Sequence, residues 1–407
     1  MAHKPWLKHV GLALLIVTYF FVMFLRFIVG PLASSSSFMC DLHVTAAHTG
    51  LIASTYFLAY AAMLIPSGVI IDKRGPFQSI LLAAVLTLAG YAIFTSATSL
   101  TQAIAGMAIA GMATPFFYIS AVKVISAWFP EERFATLTGL TLSVGYAGAS
   151  ASLAAFPLLF SYFETWRTPI AVFSIILFAV ALTAVIVLRG LKVPRVAEAV
   201  QAVRSAFTRS NVLIGLVGFA LIGVLTGAAQ WAPKLSVDIL AVPKAQAGIV
   251  ASMVMLGTAM GRVSVGYLAD RVKRHELLLF AATIAATVLT TAMAITISII
   301  SAPLFSAALL ALGLLTGAQS IVYALAAMHA PKECVGTSAS LVDGLSSAGA
   351  FAYPWLMGFL MDLYPYSLVN GIPVYPVQSY TLAFASMAVG LALASVISLF
   401  LLKALKK

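Results

Sequence analysis

Four ionisable side chains, Arg26, Lys123, Arg262 and Asp343, stand inside long apolar stretches of a 407-residue sequence in which 9% of residues are charged. An ionisable group costs about 2.5–3.5 kcal/mol in hydrocarbon on insertion scales, so those retained there usually mark a site or a pathway. Arg26 lies in VTYFFVMFLRFIVG. A guanidinium keeps its proton and offers a planar fork of donors, which suits a carboxylate or phosphate held through two bonds. Asp343 is the one carboxylate of the four, and unpaired it would be neutral or heavily penalised. We expect it to pair with Arg262 or Lys123, and to take up a proton when that partner departs. These three are the expected gate and proton-coupling group. Snorkelling of a long basic side chain to the membrane edge is the competing account of Lys123 and Arg262.

The elements that would position these groups are membrane spans. The sequence is 62% hydrophobic, against about 45–50% apolar in soluble domains. Apolar stretches of about 20 residues, enough to cross a bilayer as a helix, recur twelve times. They cover 10–34, 50–71, 77–97, 102–128, 136–161, 168–189, 211–233, 246–268, 277–300, 303–329, 336–361 and 379–402. The longest polar connection, RGLKVPRVAEAVQAVRSAFTRS from Arg189 to Ser210, separates six spans from six. The expected organisation is an all-α membrane protein with one six-helix bundle over 1–188, a cytoplasmic linker over 189–210 and a second bundle over 211–407.

The net charge of +11 has an address. With the N-terminus inside, 17 basic residues fall on the cytoplasmic side and only Arg167, Lys234 and Lys244 on the other. That is the positive-inside bias, with both termini cytoplasmic, and it leaves no call for a nucleic-acid partner. Cys40 and Cys334 fall on opposite faces in this topology, so they do not pair. The first apolar stretch is too long for a cleavable leader and contains Arg26.

The sequence also repeats itself. GLIAS at Gly50–Ser54 returns as GIVAS at Gly248–Ser252, and the spacing Gly68-x-x-x-Asp72 returns as Gly266-x-x-x-Asp270, both displaced by 198 positions. Parallel repeats of six spans are a transporter architecture in which the solute site lies between the halves near the midplane. The stretch after the second span resembles the signature G-x-x-x-D-R/K-x-G-R/K-R/K of the major facilitator superfamily. Gly68, Asp72, Lys73 and Gly75 fit it, with Arg74 inside, while Pro76 and Phe77 replace the closing basic pair. In the second half Gly266, Asp270 and Arg271 fit, and Lys273 takes the place of the glycine. The resemblance covers essentially the whole chain.

That resemblance implies the two-bundle fold of the superfamily, alternating access, and a latch formed between the bundles by the motif residues at their helix ends. Simple anchoring at the membrane edge is the alternative role for those charges. The resemblance also places the first, second, fourth and seventh spans around the solute, so Tyr19, Tyr56, Tyr60, Tyr118, Gln230 and Trp231 join Arg26 as expected substrate-binding residues. Organic-anion and phosphate-ester branches are similar in carrying an arginine near position 26. The phosphate-ester branch adds an arginine in the seventh span, where GVLTGAAQWAPKL has none, which favours a singly charged or zwitterionic solute.

The expected function is a secondary active transporter of a small anionic or zwitterionic metabolite, such as a carboxylate or amino acid, by proton-coupled symport or exchange. Its expected partners are the solute, a proton and the lipid bilayer. It is expected to act as a monomer, without cofactor or metal, in the cell inner or plasma membrane. An exporter of hydrophobic compounds or siderophores is the alternative, although such cargo has no need of a fixed cation. A transporter-like sensor is a third reading, for which a longer cytoplasmic tail is expected. No phosphate-binding loop, metal-ligand cluster or nucleophile with its base is present in the sequence, so neither ATP drive nor enzymatic activity is expected.

Overall fold

The computed structural model describes residues 5–188, 208–329, 335–369 and 372–404, so most of the expected linker and Cys334 lie outside the described residues. In chain order the first half comprises α1 (Pro5–Arg26), α2 (Val29–Ala33), α3 (Ser36–Leu42), α4 (Ala46–Arg74), α5 (Pro76–Thr95), α6 (Leu100–Trp128), α7 (Glu131–Phe163) and α8 (Arg167–Leu188). The second half comprises α9 (Arg209–Asp238), α10 (Lys244–Val272), α11 (His275–Thr296), α12 (Ala302–Thr316), α13 (Gln319–Met328), α14 (Val335–Met361), the strands β1 (Ser367–Val369) and β2 (Ile372–Val374), and α15 (Val377–Ala404).

Helix is the secondary structure that meets every backbone donor and acceptor within one segment, which lipid demands. Among the described residues, eleven helical spans are long and apolar enough to cross a membrane, with α1–α2 and α12–α13 each forming one of them. The twelfth segment, α14, has the length but is diluted by glycine, serine and Asp343. That dilution has a structural reason, because α14 packs on α9 within its own half and on α4 of the other half. Twelve spans therefore form two six-helix bundles.

The first span is interrupted. Pro31 has no N–H to give the carbonyl of Phe27, and its ring crowds that carbonyl, so the helix breaks between Arg26 and Val29. The neighbouring carbonyl of Leu25 accepts a bond from the Tyr91 hydroxyl at 2.9 Å, which keeps a buried acceptor satisfied.

Both ends of the described chain lie at one face of the bundle, here called the terminal face, and the opposite end is the far face. The halves meet along α4 with α14, α7 with α10, and α2 with α9. At the far face they are in close contact: a Cβ on Gly50 would strike the backbone of Pro354, and one on Gly248 the backbone of Leu153. Towards the terminal face, Gly68, Gly139 and Gly344 have open space where a side chain would stand. The molecule is shut at the far face and open at the terminal face.

Candidate functional site

A cavity of about 620 Å³ lies between the halves and is walled towards the terminal face by Leu64, Phe134, Thr138 and Ala339. Its polar groups come from both bundles: Tyr19 and Arg26 of α1, Tyr60 of α4, Tyr118 of α6, Tyr146 of α7, Arg262 of α10, Tyr323 of α13 and Asp343 of α14. The remaining wall is mainly Phe, Leu, Ile and Val side chains.

Arg26 is the last residue of α1, where the negative end of the helix dipole favours a cation. Its guanidinium carbon sits 4.4 Å from the centroid of the Tyr60 ring, 4.7 Å from Phe57 and 5.8 Å from Tyr56. Those rings occupy one turn of α4 and give the cation a platform that carries no opposing charge. The Arg26 Nε is buried and has no hydrogen-bond partner. A fixed positive charge with an unmet donor faces an apolar-walled cavity, an arrangement that can bind an anion.

Arg262 donates to the Tyr146 hydroxyl at 2.7 Å, a bond that spans the two halves, and its Nε is likewise buried without a partner. Asp343 accepts from the Tyr323 hydroxyl at 2.7 Å. The expected ion pair of Asp343 is not formed: among the described residues it pairs with neither Arg262 nor Lys123. Lys123 instead pairs with Asp72, within the first half and outside the cavity. With the terminal face open, α14 and α6 stand apart, and each charge takes the nearest polar group of its surroundings.

Six of the ten residues expected for binding and coupling meet in the cavity: Tyr19, Arg26, Tyr60, Tyr118, Arg262 and Asp343. Tyr19 and Tyr118 face each other with ring centroids 5.4 Å apart. Tyr56 lies behind the wall, its hydroxyl bonded to Thr114 and its ring under Arg26. Gln230 and Trp231 are corrections to the expected site. Gln230 donates to the Val29 carbonyl at 3.2 Å across the seam, and Trp231 donates to the Pro354 carbonyl at 3.0 Å. Both are buried in the packing of the closed far face rather than exposed to the cavity. Tyr146 and Tyr323 were not foreseen; each is the nearest hydroxyl to one of the deep charges, which sequence spacing does not reveal.

The expected latch also differs. Asp72 bonds within its own bundle to Lys123, so in this conformation it bridges nothing between halves. Gly75 ends α4 with φ +88°, which glycine adopts without strain, and Pro76 opens α5 directly after it. Lys73 and Arg74 are exposed, as is Arg271, and Gly266 lies near Ser320. The Asp270 side chain lies outside the described residues.

The count of four embedded charges falls short by two. Helix α9 continues past Pro233 to Asp238, and Lys234 donates to both oxygens of Asp238 at 2.7 Å, with side chains 2% and 1% exposed. Lys234, expected in a far-side loop, is a buried partner within the helix.

Two solved structures share this architecture. A bacterial homologue of the human lysosomal transporter Spinster, inward-facing and unoccupied, superposes with a TM-score of 0.78 at 13% identity, covering 99% of this chain and 98% of that one. The same homologue in an inward-facing, occupied conformation gives 0.77 at 16% identity over 99% and 98%. Among curated proteins, none matches the chain by sequence. At such identities the structures speak for the fold alone, but the family model for the Major Facilitator Superfamily matches residues 15–354, spanning both bundles and the cavity between them. This multi-pass membrane protein therefore belongs to the Major Facilitator Superfamily of transporters.

Proposed function

We propose that the protein is a secondary carrier that moves a small organic anion or zwitterion by alternating access. The bundles are 1–188 and 211–407, joined by the linker 189–210. The observation that carries this reading is Arg26, a cation on an aromatic platform at the cavity, with a buried Nε that lacks an acceptor. A carboxylate of the solute supplies that acceptor. Tyr19, Tyr60 and Tyr118 offer hydroxyls around it, and Arg262 and Asp343 lie on the opposite wall.

Asp343 is the proton site of this scheme. It is held by one phenol and by no cation, so a proton can join it without breaking an ion pair. The terminal face is cytoplasmic by the charge bias, which makes this conformation the one open to the cell interior, in an inner or plasma membrane. The carrier works as a monomer.

The test is a thermal-shift series on the purified protein with organic acids, amino acids and, for each acid, its neutral amide. A ligand at 100 times its dissociation constant adds about 2.7 kcal/mol of stability, so a hit raises the melting temperature, and the amide of the same acid leaves it unchanged. The apolar wall of Phe27, Phe57, Leu225 and their neighbours favours a second reading, export of hydrophobic compounds. Equal stabilisation by acid and amide selects that reading over the anion carrier.

A further inference from the structure

The far face holds a polar network that touches neither the cavity nor the motif residues. Its base is the buried pair Lys234–Asp238. A buried ion pair is tolerated only when its remaining donors and acceptors are met, and here they are. Lys234 gives its three protons to the two oxygens of Asp238 and to the Pro373 carbonyl, each at 2.7 Å. Asp238 also accepts from the Tyr375 backbone N–H at 3.1 Å and from the Tyr380 hydroxyl at 2.7 Å. The pair thus fastens the connection between α14 and α15, including the β1–β2 pair, to the end of α9.

That connection packs β2 against α3 of the other half and hydrogen-bonds to α4 through two residues. The first N–H groups of a helix have no partner within it; in α4 those of His48 and Thr49 are met by Thr45 just before it, and the first two are met from across the seam. Ala46 donates to the Tyr375 hydroxyl at 2.8 Å and Ala47 to Asp362 at 2.9 Å. Tyr375 in turn donates to the other Asp362 oxygen at 2.7 Å. Both carboxylate oxygens are used as acceptors, and the negative charge lies at the positive end of the α4 dipole. Burial, with Asp362 alongside, pushes the Tyr375 phenol well above its ordinary range and keeps it a donor. The Thr45 cap travels with α4, but the N–H groups of Ala46 and Ala47 keep these acceptors only while that face is shut.

We propose that Asp362 and Tyr375 form the latch of the far-side gate, capping α4 across the seam, with Lys234–Asp238 as the anchor that holds them in register. The latch must break for the cavity to open to the far side. It rests on alternating access and not on which solute is carried.

The experiment reads distance rather than transport, so failure of the anion reading leaves it intact. The full chain, with Cys40→Ser and Cys334→Ser, carries spin labels at Tyr162→Cys and Ile299→Cys, exposed far-face positions in opposite halves. Pulsed dipolar spectroscopy in nanodiscs then gives the ratio of long to short distances. Asp362→Asn, which leaves one acceptor where there were two, and Tyr375→Phe each raise that ratio by roughly tenfold. Tyr380→Phe, which loosens the anchor but keeps the ion pair, gives a smaller shift in the same direction. Tyr366→Phe is the control: its ring packs on Tyr375 at 5.4 Å without a latch bond, and the ratio stays at the wild-type value. Unchanged distances in both Asp362→Asn and Tyr375→Phe, or an equal shift in Tyr366→Phe, overturn the proposal.

Discussion

A guanidinium stacked on rings can be replaced in two ways that separate charge from geometry. Arg26→Gln removes both, and losing a hydrogen-bonded charge costs about 1.5–3 kcal/mol, so solute binding weakens by roughly 10- to 100-fold in a calorimetric titration. Arg26→Lys keeps the charge but loses the fork and the flat contact with Phe57 and Tyr60, and falls between the two. At Asp343 the prediction concerns coupling. Asp343→Asn abolishes the response of uptake to an imposed pH gradient while solute binding persists, whereas Tyr323→Phe removes the hydroxyl and leaves the gradient response in place. Unchanged gradient dependence in Asp343→Asn removes Asp343 as the proton site. The cavity charges Arg26, Arg262 and Asp343 were legible in the sequence because a charge in an apolar run has few bland explanations. Their partners were not. Which group Asp343 or Lys123 meets depends on which face is open, and no spacing rule records that. Tyr146 and Tyr323 were hidden for another reason: a tyrosine in a span packs, anchors or binds with equal ease.

The repeat found in the sequence becomes intelligible at the level of the helices. Gly50 and Gly248, displaced by 198 positions, are equivalent places where a half presses on the backbone of the other, α4 against α14 and α10 against α7; Gly30 against Ala229 and Gly358 against Ala46 are further ones. Ser252 of the same repeat accepts from Ser150 through its carbonyl at 3.1 Å, again across the seam. GLIAS and GIVAS are therefore contact surfaces of the far gate, where small residues let backbones approach. Gly50→Leu or Gly248→Leu places a side chain where backbone already stands, and the shift it forces is at the seam. Both variants hold the far face apart, read as a longer distance between labels at Tyr162 and Ile299; an unaltered distance contradicts the seam assignment. Span order was readable from hydropathy and the polar connections between apolar runs, with α14, diluted by glycine and serine, the weakest signal of the twelve. The break after Arg26 was not, although Pro31 signals it, because an apolar run hides a kink. The extension of α9 to Asp238 was missed because a lysine after a proline reads as a loop, whereas four residues of helix bring Lys234 and Asp238 onto one face and bury both.

Across the whole molecule, the open face and the charge bias make one joint statement about direction. The cavity opens on the face that carries both described ends, and that face also holds most of the basic residues, including Lys73, Arg74, Arg133, Arg271, Lys273 and Arg274. The proposed orientation places this face in the cytoplasm, because loop lysines and arginines resist translocation during insertion. A cysteine at exposed Lys273 is then shielded from a membrane-impermeant thiol reagent in intact cells and reacts only after permeabilisation. One at exposed Tyr162 reacts without it. The opposite pattern would turn the carrier over, making this conformation open to the outside and moving the Asp362 latch to the cytoplasmic gate. The expected pattern has a mechanistic consequence. An anion that enters from outside must find Arg26 through the seam now closed by Gly50, Gly248 and the cap on α4, so solute binding from that side is limited by the population in which the seam is open. Loosening the cap with Asp362→Asn then lowers the apparent dissociation constant for external solute by the factor by which the open population rises, up to saturation. Measuring that constant in right-side-out vesicles ties gate to site, and an affinity indifferent to the substitution would separate them.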